Sequence, residues 1–260
     1  MYLSRRQFIG LAGAWSIAAT INAEEDGPLV FATINDIHVL DDASMVYVQR
    51  AVEQINTTPN LRFVLALGDL GTDGTKGEMQ RAKQCLDGLA QPYLCVPGNH
   101  DIDPTLDDGY ANYSAAFDRR QWTERDDAWL FMGIDTCNGT ASYVTVPPER
   151  MEWIRAQLAE IPASRPIAVF SHHPFNPHTE NYRVKNADEV MGLFKDHQLR
   201  LVVSGHYHGN QVEEHAGVTY ITTACCASTR GNFDGTKAKG YRVFRVDGDQ
   251  VEHDFIEVPA

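Results

Sequence analysis

Two periodicities alternate along this chain. Short apolar runs of the kind that build buried strands occur at Pro28 to Ile34, Leu61 to Leu67, Tyr93 to Val96, Trp129 to Ile134, Ser142 to Val146, Pro166 to Phe170 and Leu199 to Ser204. Leu61 to Leu67 is apolar at nearly every position, the pattern of a strand covered on both faces. Between these runs, apolar residues return at helical spacing. Val46, Val48, Ala51, Val52 and Ile55 mark a helix over Ala43 to Asn56, and further helices are predicted at Glu78 to Leu89, Tyr110 to Phe117, Glu149 to Ile161 and Ala187 to His197. A proline pair precedes Glu149, a helix-start signal. From Gln211 the pattern turns to strands alone: Gln211 to His215, Val218 to Thr222, Tyr241 to Val246 and Val251 to Glu257. Ala216-Gly217 and Asp247-Gly248 supply turn residues for two hairpins.

The longest irregular segments are Gly98 to Gly109, Pro174 to Asn186 and Cys225 to Gly240. Long loops in a compact domain are often functional. No internal repeat or low-complexity linker divides the chain. One α/β domain over residues 24–260 is the expectation.

Hydrophobic residues make up 43% of the 260, which suits a packed core. The formal net charge of −13 argues against sequence-independent binding to duplex nucleic acid, because phosphate contacts need Lys and Arg. Divalent cations would cancel part of that charge where they sit.

The first residues read as a targeting segment. Ser4-Arg5-Arg6-Gln7-Phe8-Ile9 is followed by an apolar run to about Ile21 and by Asn22-Ala23. A basic start, a short apolar core and a small residue before the cut are the features of a signal peptide. The paired arginines look like a twin-arginine signal, which hands folded proteins to a dedicated export machinery. Residues 1–23 are the expected leader. The apolar run is short of the roughly 20 residues that span a bilayer, so export is preferred to a stable membrane anchor. A periplasmic or extracellular location follows.

Five cysteines occur: Cys85, Cys95, Cys137, Cys225 and Cys226. With an odd number and no C-x-x-C pair, a thiolate zinc site is not expected. Buried, inert thiols are the favoured reading. If one disulfide forms, Cys85–Cys95 is the pairing preferred, between a helix and the strand after it.

The chemistry collects where apolar strands end. Val30 to Ile34 runs into Asn35-Asp36-Ile37-His38, and Val64 to Leu67 into Gly68-Asp69. Leu94 to Pro97 runs into Gly98-Asn99-His100-Asp101, Ile167 to Phe170 into Ser171-His172-His173, and Leu201 to Ser204 into Gly205-His206-Tyr207-His208. In an open α/β sheet the carboxyl ends of the strands are where ligands bind. Taken singly, Asp-x-His is more often a turn, Gly-Asp is uninformative, and a lone histidine is more often a hydrogen-bonded one. Gly-His-x-His is sharper, and Gly-Asn-His-Asp sharper still. Six of the ten histidines fall at these five ends, and that recurrence is the signal. Carboxylates and imidazoles without thiolate suit Mn, Fe, Zn or Ni.

The ordered set Asp36-x-His38, Gly68-Asp69, Gly98-Asn99-His100-Asp101, His172 and Gly205-His206-x-His208 resembles the signature of calcineurin-like metallophosphoesterases. It is closest in style to the class III cyclic-nucleotide phosphodiesterase and glycerophosphodiesterase branch. The resemblance implies a sandwich of two β-sheets flanked by α-helices, and a dinuclear centre of two divalent metal ions. By the same resemblance Asp36, His38 and His208 hold one ion, Asn99, His172 and His206 the other, and Asp69 bridges them. His100 is the implied proton donor during in-line attack of a metal-bound hydroxide on phosphorus, and Asp101 its orienting partner. His173 is the alternative to His172 should the register be misread.

One position departs from a related group. Purple acid phosphatases carry tyrosine three residues after the bridging aspartate, where this chain has Thr72, so an iron–tyrosinate centre is not expected. The substrate implied is a small phosphate ester, preferentially a diester such as a cyclic nucleotide or a glycerophosphodiester. Phosphomonoesters, or a metal-binding role without catalysis, are the alternatives. Arg183, in the loop after His172, is a candidate phosphate clamp or else a solvated surface arginine. The loop from Cys225 to Gly240, with Arg230 and Phe233, is either a flap over the metals or a surface loop.

Overall fold

The apolar runs become the strands of two facing sheets in the computed structural model, which describes residues 27–126, 128–179 and 181–259. The expected leader, residues 1–23, lies outside the described residues. The elements in order are β1 (Leu29–Ile34), α1 (Asp42–Ile55), β2 (Leu61–Leu67), α2 (Lys76–Leu86), β3 (Tyr93–Val96), α3 (Ala111–Phe117), β4 (Trp122–Arg125) and β5 (Leu130–Ile134). They continue as α4 (Pro148–Ala159), β6 (Pro166–Ser171), α5 (Ala187–Gly192), β7 (Gln198–Ser204), β8 (Gln211–His215), β9 (Val218–Thr222), β10 (Gly240–Asp247) and β11 (Gln250–Glu257). One sheet has the order β11-β10-β1-β2-β3, the other β4-β5-β6-β7-β9-β8.

Local chemistry sets the helix starts. Asp41 accepts the Ser44 N–H at 2.9 Å while Ser44 Oγ accepts the Asp41 N–H at 3.0 Å, a reciprocal cap that opens α1. Thr75 and Glu78 form the same box at α2. The proline pair opens α4, with Pro148 at its first position.

Alternation along the strands sorts side chains into layers. Phe31, Phe63, Leu65, Leu67, Phe244 and Val246 of the first sheet meet Phe131, Ala168, Phe170, Leu201, Val203 and Ile221 of the second. Five rings dominate this inner layer. Phe31 stacks on Phe63 (5.2 Å between centroids) and Phe244 (4.7 Å) and meets Phe131 and Phe170 edge-on. The opposite faces of the strands pack on helices: Ala32, Ile34, Val64 and Ala66 against Val48, Ala51 and Ala82 on one side. Ile167, Val169 and Val202 pack against Ile154, Leu158 and Val190 on the other. The result is four layers, the expected two-sheet sandwich between helices.

Several sequence expectations need correction. Ser142 to Val146 is not a strand. Val144 and Val146 are buried, but their backbone groups bond to the 174–186 segment: the Lys185 N–H donates to the Val144 carbonyl at 2.8 Å, and the Val146 N–H to Asn186 Oδ1 at 2.9 Å. Trp122–Arg125 is an edge strand that the pattern did not reveal. The helix expected to reach His197 stops at Gly192. The β10–β11 turn is Gly248-Asp249, one residue beyond the expected pair, since Asp247 pairs with Gln250. All five cysteines are buried free thiols, so the Cys85–Cys95 bridge is not formed. Burial pushes the Cys85 thiol up to about 11, as inert thiols require. Among the described residues, no helix is long and apolar enough to cross a membrane.

Candidate metal centre

β1, β2 and β3 run parallel, as do β6 and β7, so their carboxyl ends emerge together at one rim of the sandwich. The loops that follow zip side by side. The Asp36 N–H donates to the Gly68 carbonyl and the His38 N–H to the Asp69 carbonyl, both at 3.0 Å. On the other sheet the Gly205 N–H donates to the His172 carbonyl at 3.0 Å.

The backbone at this rim is unusual. Asp36, His38, Asp69, His206 and His208 all have left-handed φ, between 41° and 64°. Left-handed non-glycine residues cost about 1–3 kcal/mol each and persist only where the surroundings over-determine them. The turn at each residue is what swings its side chain inward. Two glycines make the close approach possible. A Cβ on Gly98 would lie 2.2 Å from the Asp69 backbone nitrogen, and one on Gly68, itself left-handed at 81°, would lie 2.7 Å from His172 Nδ1.

The side chains form two clusters that share one carboxylate. His208 Nε2 is 3.1 Å from Asp36 Oδ1 and 3.4 Å from His38 Nε2. His38 Nε2 is 3.5 Å from Asp69 Oδ2. On the far side of Asp69, Oδ1 is 3.2 Å from His172 Nε2, which in turn is 3.3 Å from Asn99 Oδ1 and 3.1 Å from His206 Nδ1. All seven sequence-predicted ligands therefore converge, and each cluster draws residues from both sheets.

The remaining ring nitrogens fix the tautomers. His172 Nδ1 donates to the Leu67 carbonyl (2.9 Å), His206 Nε2 to the Ser142 carbonyl (3.0 Å) and His208 Nδ1 to the Gly231 carbonyl (3.0 Å). Once His172 gives up its second proton, it and His206 face each other with two lone pairs only 3.1 Å apart. Two lone pairs that close repel unless a proton or a cation lies between them. This is the arrangement of metal-ligating histidines, whose other nitrogen is held by a backbone carbonyl. With carboxylate Asp36, Asp69 between the two clusters and the Asn99 amide, the donors fit two divalent cations.

Electrostatics agree with that fit. Burial alone would raise the Asp36 carboxyl, but the His208 imidazole beside it holds it down to about 2. Asp69 lies well below the carboxylate range for the same reason, with His172 the main counterweight to burial. Burial lowers His38 and His206 to about 4. His172 and His208 go the other way despite burial, to about 9 beside Asp69 and about 11 beside Asp36.

His100 Nδ1 lies 2.6 Å from the Thr72 carbonyl, and its backbone N–H donates to Asp69 Oδ1 at 2.9 Å. The expected Asp101 partnership is corrected here. Both Asp101 oxygens are taken by backbone: Oδ1 accepts the Leu70 and Gly71 N–H groups, and Oδ2 that of Gly98. Burial, then the nearby Asp69, raise the Asp101 carboxyl to about 7. Asp101 ties the loops after β2 and β3 together. His173 sits with Nδ1 2.9 Å from Thr136 Oγ1 and its buried Nε2 without a partner, while His172 is the one that faces Asp69.

A cavity of about 260 Å³ opens onto the centre, lined by His38, Asp69, His100, His206, His208 and, from the loops, Ser142, Tyr182, Thr229, Arg230, Gly231 and Phe233. Arg183 is not among these residues; it pairs with Asp188 on the surface. Among the described residues, the arginine that lines the cavity is Arg230, from the other candidate loop. Phe233 stacks on the His208 ring (4.9 Å, 11°) and Tyr182 stands edge-on to His206 (5.0 Å). Tyr182 carried one signal visible in advance, its place in a long loop just after a candidate ligand.

Comparison with known proteins gives a consistent picture. A family model described as calcineurin-like phosphoesterase matches residues 29–210. A 3′,5′-cyclic-nucleotide phosphodiesterase of Nostoc sp. is 23% identical over 213 residues, covering 75% of this chain and 77% of that protein. A protein of Arcobacter nitrofigilis named "Probable glycerophosphodiester phosphodiesterase" is 22% identical over 205 residues, 69% of this chain and 72% of its own. Among solved structures, a dimetal phosphatase from Danio rerio superposes with a TM-score of 0.66 at 15% identity, covering 90% of this chain and all of that one.

Proposed function

Because the chain belongs to the calcineurin-like phosphoesterases, and so to the metal-dependent phosphoesterases, we propose that it hydrolyses small phosphodiesters, cyclic nucleotides or glycerophosphodiesters, at the rim of the sandwich. The observation that carries this reading is Asp69, whose two oxygens face His38 on one side and His172 on the other. A carboxylate so placed would be shared by two cations, with Asp36, His38 and His208 the residues that would hold one and Asn99, His172 and His206 those that would hold the other. Bound there, two divalent cations would supply Lewis acidity for the phosphoryl oxygens and lower the pKa of water.

The chain's own groups do the rest. The Thr72 carbonyl holds the proton on His100 Nδ1, so Nε2 is the atom that exchanges a proton in the cavity. A histidine placed there protonates the leaving alkoxide, the role of a general acid. Arg230 lines the same cavity and supplies a cation for a phosphate oxygen. Phe233 and Tyr182 pack on the ligand histidines and narrow the approach for water.

The test is hydrolysis of bis(p-nitrophenyl) phosphate by protein stripped with chelator and reloaded with Mn. Turnover that returns only with metal supports the diesterase reading. Two bound metals and hydrolysis of monoesters alone would overturn it. The twin-arginine motif at Ser4 to Ile9 supports export of the enzyme, and Arg5→Lys with Arg6→Lys should leave an unprocessed precursor in the cytoplasm. Normal export of that double variant refutes the assignment.

A further inference from the structure

A third group of metal-ligand side chains lies outside this centre, on the surface. His178, Glu213 and His215 each offer one donor atom, all within 4.8 Å of one another. Glu213 and His215 are two apart on β8, so they project from the same face of that strand. β8 is the outermost strand of its sheet. His178 reaches them from the loop after β6. Its Nδ1 contacts Glu213 Oε1, and its ring stands edge-on to His215 at 5.6 Å and 86°.

From this juxtaposition we propose a third cation site, held by His178, Glu213 and His215, for a borderline transition metal such as zinc. Two imidazoles and one carboxylate select that class of ion, whereas Mg and Ca prefer all-oxygen shells. Zinc takes its ligands at about 2.0–2.2 Å, so the three donor atoms would draw in around the ion. Water fills the open side, as at any three-ligand zinc site.

The site would tie two elements together. His178 shares its loop with Tyr182, which packs on His206 at the rim of the centre. A cation on His178 anchors that loop to β8 and restrains the segment carrying Tyr182. This proposal does not depend on the reading of the catalytic centre, since no ligand is shared.

Zinc content after equilibration with buffered, micromolar free zinc tests the idea. His178→Ala and His215→Ala should each hold one equivalent of zinc fewer than the wild-type chain, with both variants keeping full turnover in saturating Mn. Asp69→Asn should retain the surface equivalent while losing the centre. In hydrogen exchange, zinc should slow the amides of residues 176–184 in the wild type and leave them unchanged in His215→Ala. Equal zinc content in the wild type and both histidine variants overturns the proposal.

Discussion

The Thr72 carbonyl oxygen lies 2.6 Å from His100 Nδ1, and this contact, not the neighbouring Asp101 carboxylate, sets the ring that faces the cavity. His100 is therefore separable from the metal ligands. His100→Ala should lower kcat about 100- to 10,000-fold, the usual range for a general acid, while leaving both metals bound. Metal analysis beside steady-state kinetics checks it. Unchanged turnover with both ions present removes the proton-donor role.

Asp101→Asn should behave differently from a variant of an acid's orienting partner. An amide there turns N–H groups towards backbone donors at Leu70, Gly71 or Gly98. Buried donors left without acceptors cost about 1–3 kcal/mol each. The expected outcome is lower thermal stability and weaker metal retention together. A variant with wild-type melting and metal content but slow turnover would restore the orienting role.

Asp69 touches both clusters, so Asp69→Asn should reduce occupancy of both ions in parallel across a metal titration. Loss of a single equivalent from the centre contradicts bridging.

Proton uptake gives a further check. In chelated protein His172 stays protonated up to about 9 and His208 up to about 11, against an ordinary 6.5. The sign is that of raised histidines: their contribution to stability is complete below pH 6.5 and is lost as pH climbs through the folded values. Chelated protein should therefore melt at lower temperature at pH 10 than at pH 7. Near pH 7, loading two cations should expel about two protons, one from each ring. Calorimetry in buffers of different ionisation enthalpy reads that number, and zero release refutes the assignment.

The inner layer should be as sensitive as its packing suggests. Phe31 touches four other rings at the centre of the sandwich, and Phe31→Ala should cost about 3–5 kcal/mol in denaturant unfolding. A loss below 1 kcal/mol would mean the two sheets repack around the gap.

Much of this molecule is legible in its sequence because buried parallel strands announce themselves as apolar runs, and the polar residues that end them stand out by contrast. Asp36, Asp69, Asn99, His172 and His206 were all visible in that way. What escaped depends on contacts between distant segments. Val144 and Val146 alternate as a strand would, yet their partners are a loop 40 residues on. Trp122–Arg125 carries three polar residues in four and pairs on one edge only, so no apolar run marks it. Asp101 adjoins His100 in sequence, but three backbone amides converge on it only once β2 and β3 are paired. Arg183 and Arg230 read alike as loop cations; Asp188, five residues along the chain from Arg183, decides which is spent on the surface.

The left-handed turns divide the molecule's flexibility for redesign. At the Asn60 and Ala216 turns the same backbone conformation serves only to reverse the chain, so glycine can replace either residue and selection for heat tolerance is free to act there. At Asp36, His38, Asp69, His206 and His208 relief of the same strain removes a donor atom. Thermal endurance can therefore be gained at Asn60 and Ala216 without touching the centre, whereas glycine at any of the five gives up a donor atom and the buried pair it belongs to.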